Sequence, residues 1–178
     1  RMEGWCLVER VIPEARVDVI RDEVEAGHGR LLDTLRGRPE IEWVAYRHSE
    51  DAIKIASSAG SALLGKEFDY YSYAYEDSDP LQLGLARTLV HRADALDLTA
   101  GTEFPDALEQ IWHLFSGSRT GDIVVTSKPG YDLRGWREWP EHRSSHGALC
   151  AKHMQVPILS NRPLDNEGPV RTVDLFPT

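Results

Sequence analysis

The chain has 178 residues, 41% of them hydrophobic, with 29 Asp plus Glu against 20 Lys plus Arg for a formal net charge of -9. That length supports one compact domain with a real core and is marginal for two. The acidic balance argues against a nucleic-acid backbone as the main partner unless basic residues cluster on one face, and 14 Gly with 10 Pro fit neither a collagen-like nor a disordered chain.

The longest uncharged apolar stretches, such as Ile123-Val124-Val125 and Val156-Pro157-Ile158-Leu159, are far shorter than the roughly 20 residues that span a bilayer. No basic region followed by an apolar stretch and a small-residue cleavage site opens the chain, so a soluble protein is expected, with the cytoplasm favoured. Cys6 and Cys150 form no CxxC pair and no disulfide ladder. Finger-type structural zinc is therefore excluded, and both thiols are expected to be free and buried.

In chain order, Trp5 to Ile12 is apolar and β-branched and stops at Pro13, which predicts a strand. Val17, Ile20 and Val24, then Leu31, Leu32 and Leu35, predict helix from Ala15 to Leu35, broken near Gly27-His28-Gly29 and ended by Gly37 and Pro39. Ile41 to Arg47 predicts a strand buried on at least one face. Ala52 to Ser58 and Ser61 to Gly65, flanking a Gly60 turn, and Phe68 to Tyr75 complete an antiparallel meander. Tyr71, Tyr73 and Tyr75 share one face of it, where packing is the expected role.

Glu76 to Pro80 is an acidic turn that lacks the spacing of a calcium loop and is expected to be solvated. Leu81, Leu83, Leu85, Leu89 and Val90 suggest a short helix, followed by an irregular stretch from Asp94 to Pro105. Leu108, Ile111, Trp112 and Phe115 then mark one face of an amphipathic helix, on which His113 is expected to be structural or exposed. Gly121 to Ser127 has the pattern of a strand buried on both faces, whose C-terminal end would point toward a site. Residues 128–149 are too polar for a core element and form a long site loop. Met154 to Ser160 predicts a further strand, and Val170 to Thr178 the start of another element.

The chemistry-bearing candidates fall in and beside that loop. His142 and His146 stand four apart, with Glu141 beside the first and His153 beyond. Histidines at that spacing can share a metal on a helix, but Arg143, Ser144 and Ser145 replace the glutamate base of a zincin motif and Gly147 follows at once. In a loop, Ser-Ser-His-Gly lets one imidazole approach an ion or a phosphate closely.

A doubly buried strand, a polar loop, Ser145-His146-Gly147, then His153-Met154-Gln155-Val156-Pro157-Ile158-Leu159 and Arg171-Thr172-Val173-Asp174-Leu175-Phe176-Pro177-Thr178 follow in order. This order resembles the C-terminal part of the alkaline phosphatase superfamily, in the type I phosphodiesterase and nucleotide pyrophosphatase branch. The resemblance covers about a third of the chain, Gly121 to Thr178, and reaches more loosely to Asp79-Pro80-Leu81 and to Ile41 to Arg47. It implies that His146 is the last histidine ligand of a site for two divalent ions, zinc by type, and that Val170 to Thr178 begins the final helix.

The resemblance assigns no role to His142 or His153. It also implies an upstream half carrying an early Asp, a Thr or Ser nucleophile, an Asp pair and an Asp-His-Gly phrase. This sequence contains no Asp-His dipeptide.

The expectation is thus a single α/β domain, with α+β left open, built on a mixed sheet with a partial alkaline phosphatase-like core. It would be the C-terminal fragment of a metal-dependent phosphoester hydrolase, inactive alone, whose partners are the missing catalytic half and a small phosphoester. Two alternatives stand beside it. One is a non-catalytic interaction module that uses the strands between Ile41 and Tyr75 as its surface, where an exposed meander edge would support β-pairing with a partner. The other is a small independent metal site formed by Glu141, His142 and His146.

Overall fold

The computed structural model describes residues 5–7, 29–85, 88–131, 147–161 and 168–175. Among them run β1 (Trp5–Leu7), α1 (Gly29–Arg36), β2 (Ile41–Ser49), β3 (Ala52–Ala56), β4 (Ser61–Glu67), β5 (Tyr70–Glu76), β6 (Thr88–His91), α2 (Ala95–Thr99), α3 (Ala107–Ser116), β7 (Ile123–Ser127), α4 (Ala151–Met154) and a 3-10 turn (Thr172–Leu175). The seven strands form one sheet in the order β1-β7-β2-β3-β4-β5-β6, and every pairing is antiparallel. The class is therefore α+β. No helix among the described residues is long and apolar enough to cross a membrane.

The meander from β2 to β5 follows its hydrophobic alternation. Trp43, Ala45, Ile53, Ile55, Ala62, Leu64, Tyr71 and Tyr73 are buried on one face, where they meet Leu108, Ile111 and Phe115 of α3 in the main core. On the opposite face Val44, Tyr46, Ala56 and Val125 pack with Leu32 of α1 and Ile41 in a smaller cluster. β2 and β7 are covered on both sides as a result, which explains why their sequences run nearly continuously apolar. Each large side chain buried here contributes about 1.5–3 kcal/mol of apolar transfer.

Gly60 makes the β3–β4 turn possible. A Cβ there would lie 2.2 Å from the Ser78 carbonyl oxygen and 2.6 Å from that of Glu76. The turn is pressed against backbone at the end of β5, which no side chain can move aside.

α3 begins at Asp106, whose φ of 57° is unusual for a residue with a side chain. Its N–H donates to Thr99 Oγ1 at 2.8 Å. At the other end the last carbonyls find donors. The Arg47 guanidinium of β2 bonds to Phe115 O, and the Thr120 hydroxyl bonds to Leu114 O. Arg47 also lies over the Phe115 ring, 5.9 Å from its centroid.

Three elements differ from the sequence expectation. Residues 88–91 form strand β6 instead of continuing a helix, because Thr88 and Val90 find a paired edge beside Tyr73 and Tyr71. The supposedly irregular stretch after Asp94 contains α2, with Ala95 and Thr99 buried. Residues 156–160 are exposed and take part in none of the described strand pairings, following residues 151–154, which turn into α4. The expected strand from Val8 to Ile12 and the helix from Ala15 to His28 lie outside the described residues.

Candidate functional site

β7 delivers the chain to the root of the 128–149 loop. Thr126 and Ser127 are both buried, and Lys128 N–H donates to the Glu40 carbonyl at 2.9 Å. The return leg is tied to the main core by buried Ala148, Leu149 and Cys150, and Ala151 N–H donates to Glu103 O at 2.8 Å. Ala148 N–H also donates to His153 Nδ1 at 3.0 Å, which closes a tight unit just after Gly147. Glu42 lies within electrostatic reach of Lys128 and of Glu103. Burial pushes its carboxyl above the usual range, with Glu103 adding to the rise and Lys128 opposing it.

Each leg is thus anchored by a backbone hydrogen bond, the outgoing one to Glu40 and the returning one to Glu103. The residues they carry between them, 132–146, hold Glu141, His142 and His146, which lie outside the described residues. Of the sequence candidates the structure places only His153, as the acceptor for Ala148. Among the described residues no group of three or more His, Cys, Asp or Glu could hold a metal ion. They do not supply a ligand set by themselves, and no reaction step is derived through an ion. Cys150 is buried, as expected.

A second polar cluster, invisible in the sequence, lies on α3. Glu109 is only 3% exposed yet meets donors from three residues. Arg92 Nε approaches its two oxygens at 2.9 and 3.1 Å, Arg92 Nη2 lies 2.8 Å away, His113 Nε2 lies 3.0 Å away, and Tyr71 donates its hydroxyl. Burial pushes the Glu109 carboxyl up, but the Arg92 and Tyr71 hydrogen bonds outweigh it and hold the group below its usual range. Tyr71 is pushed well above the ordinary phenol range, first by burial and then by Glu109. The cluster thus pairs a fixed carboxylate with a fixed phenol. Both are committed to each other and to Arg92, which suits an anchor better than a proton-transfer pair.

One turn earlier, Asp106 receives Arg171 in a two-pronged pair, Nε at 2.8 Å and Nη2 at 2.7 Å, and accepts Gln110 Nε2 at 2.9 Å. Arg171 also reaches Arg92 O at 3.4 Å. The clamp fixes residues 168–175 on the end of α3, although that segment is mostly exposed. Asp79 plays a similar internal part and is not merely solvated. It accepts Tyr73 Oη at 2.5 Å, Leu81 N–H at 3.0 Å and Gly84 N–H at 2.9 Å. Asp106 and Glu109 stand three apart at a helix start, a spacing that hints at a structured N-terminus. Nothing local indicates Arg92 and Arg171.

No family model, curated protein or solved structure matches this chain.

Proposed function

We propose that this chain is the C-terminal part of a metal-dependent phosphoester hydrolase of the alkaline phosphatase type, in which His146 helps hold one of two divalent ions. One observation supports the reading. The chain before and after Ser145-His146-Gly147 is anchored by backbone hydrogen bonds, Lys128 to Glu40 just after the doubly buried β7 and Ala151 to Glu103. A loop held at both roots can carry a ligand at a reproducible position. The remaining ligands and the nucleophile would come from polypeptide upstream, since one histidine cannot position an ion as three or four donors do.

Sequencing the reading frame on both sides of Arg1 and Thr178 in the source DNA, followed by expression of the whole frame, tests this. The expected frame contains an early Asp, a Thr or Ser nucleophile and an Asp-His-Gly phrase. The expressed protein should hydrolyse bis(p-nitrophenyl) phosphate with zinc, and His146→Ala should lower kcat/KM by about 100-fold or more. A start codon close to Arg1 in the source DNA, or a whole-frame protein indifferent to His146→Ala, would sink the proposal.

A further inference from the structure

Among the described residues, Arg171 is the only side chain of 168–175 that hydrogen-bonds outside that segment, reaching both Asp106 oxygens and the Arg92 carbonyl. The other hydrogen bonds stay inside the segment, Arg171 N–H to Asp174 Oδ2 at 2.9 Å and Asp174 N–H to Arg171 O at 3.0 Å. Apolar contact adds little. Val170, Val173 and Leu175 belong to neither core cluster, and no residue of the 3-10 turn is buried.

The acceptor is built the opposite way. Asp106 is 3% exposed and is held in place without help from 168–175. Its N–H donates to Thr99 Oγ1 at 2.8 Å, and the buried Thr99 hydroxyl donates in turn to Ala95 O at 2.6 Å. At φ 57° its side chain makes no cap to its own helix, and Gln110 Nε2 donates to Oδ2 at 2.9 Å. A carboxylate fixed in this way, with the Arg92 carbonyl close by, matches the planar fork of a guanidinium better than the point charge of an ammonium.

We propose that the start of α3 carries a preformed guanidinium receptor, which residues 168–175 occupy as a releasable strap through Arg171 and which an arginine side chain supplied in trans can take over. Desolvation offsets most of the attraction within a buried ion pair, so a segment held by one such pair opens locally while the core stays folded. Release returns Arg171 to water and leaves Asp106 on Thr99 and Gln110. A tethered arginine competes at an effective concentration on the order of millimolar. The strap therefore closes the receptor to dilute ligand and makes it available only when drawn off. This inference stands apart from the hydrolase reading, and either can fail alone.

L-argininamide is the probe, with two-dimensional NMR of the full chain reading the side-chain amide of Gln110. In Arg171→Gln that signal should shift saturably with a midpoint on the order of 1–10 mM, while the Gln82 and Gln155 amides stay still. In the unaltered chain the midpoint should be about tenfold higher or more, because Arg171 competes. L-lysinamide at the same ionic strength should bind about tenfold more weakly. Hydrogen exchange should show the Arg171 and Asp174 amides of the unaltered chain opening at least about 100-fold more readily than those of Ile111 and Phe115. A folded Arg171→Gln chain with no saturable shift overturns the proposal, and so does an Arg171→Gln chain that fails to fold, since a releasable strap is not needed for folding. Equal binding of L-lysinamide, or equal shifts at Gln82 and Gln155, would also overturn it by showing general attraction to a chain of net charge -9. Exchange of Arg171 and Asp174 only on global unfolding would make 168–175 a fixed part of the fold and would sink the strap.

Discussion

At the residue scale, Glu109 shows how a buried charge is tolerated: its desolvation is offset by Arg92, His113 and the Tyr71 hydroxyl. Glu109→Gln keeps the volume and removes the charge. Arg92 can turn to water because nearly half of its side chain is exposed, so the expected loss is about 1.5–3 kcal/mol, the worth of charged hydrogen bonds. Tyr71→Phe removes one donor and should cost about 1 kcal/mol. Urea denaturation checks both, and a midpoint unchanged in Glu109→Gln would show that the network adds nothing. The apolar stripe of α3 was legible from Leu108, Ile111 and Phe115. The partners of Glu109 and Asp106 were not, because Arg92 and Arg171 reach them only once the chain has folded back.

At the element scale, the β3–β4 hairpin depends on the missing Cβ of Gly60. Gly60→Ala would drive a methyl group into the Ser78 and Glu76 carbonyls, and only a shift of backbone could relieve it. The expected destabilisation is about 1–3 kcal/mol, as for overpacking elsewhere. Thermal melting of the variant checks it, and an unshifted Tm would mean that the turn does not press on β5. The Gly60 turn and the tyrosine alternation could be read locally, since period two and a flanking glycine are short-range signals. Whether residues 88–91 became helix or strand depended on the open edge that β5 presents. Val156 to Ser160 shows the reverse: its strand composition meets no described strand, and Leu159 is left 96% exposed.

At the scale of the whole molecule, the shifted groups set a pH window of stability. Glu109 is held below its ordinary 4.5, so its contribution is present above that value and is lost as pH falls through the folded value. Tyr71 and Tyr73 are held above their ordinary 10.0, chiefly by burial and then by Glu109 and Asp79. Their contribution is present below 10 and is lost as pH rises through the folded values. Glu42, pushed up by burial, works against Glu109 and blunts the acid limb. Stability should therefore form a plateau bounded near these two ordinary values. Urea midpoints measured from about pH 3 to about pH 11 should trace it, with Glu109→Gln flattening the acid limb and Tyr73→Phe the alkaline one. A limb unaffected by its substitution would mean that other groups set it.

The amino-acid sequence by itself determined the meander, the amphipathic helix and the doubly covered strand, because alternation and helical spacing are local consequences of which side chains avoid water. It also determined where the histidines cluster. The tertiary structure decided that the sheet is antiparallel throughout, that β7 lies between β1 and β2, and that Asp106 and Glu109 are matched by Arg171 and Arg92. Strand order and ion pairing depend on which distant surfaces meet, and chain separation along the sequence carries no record of that.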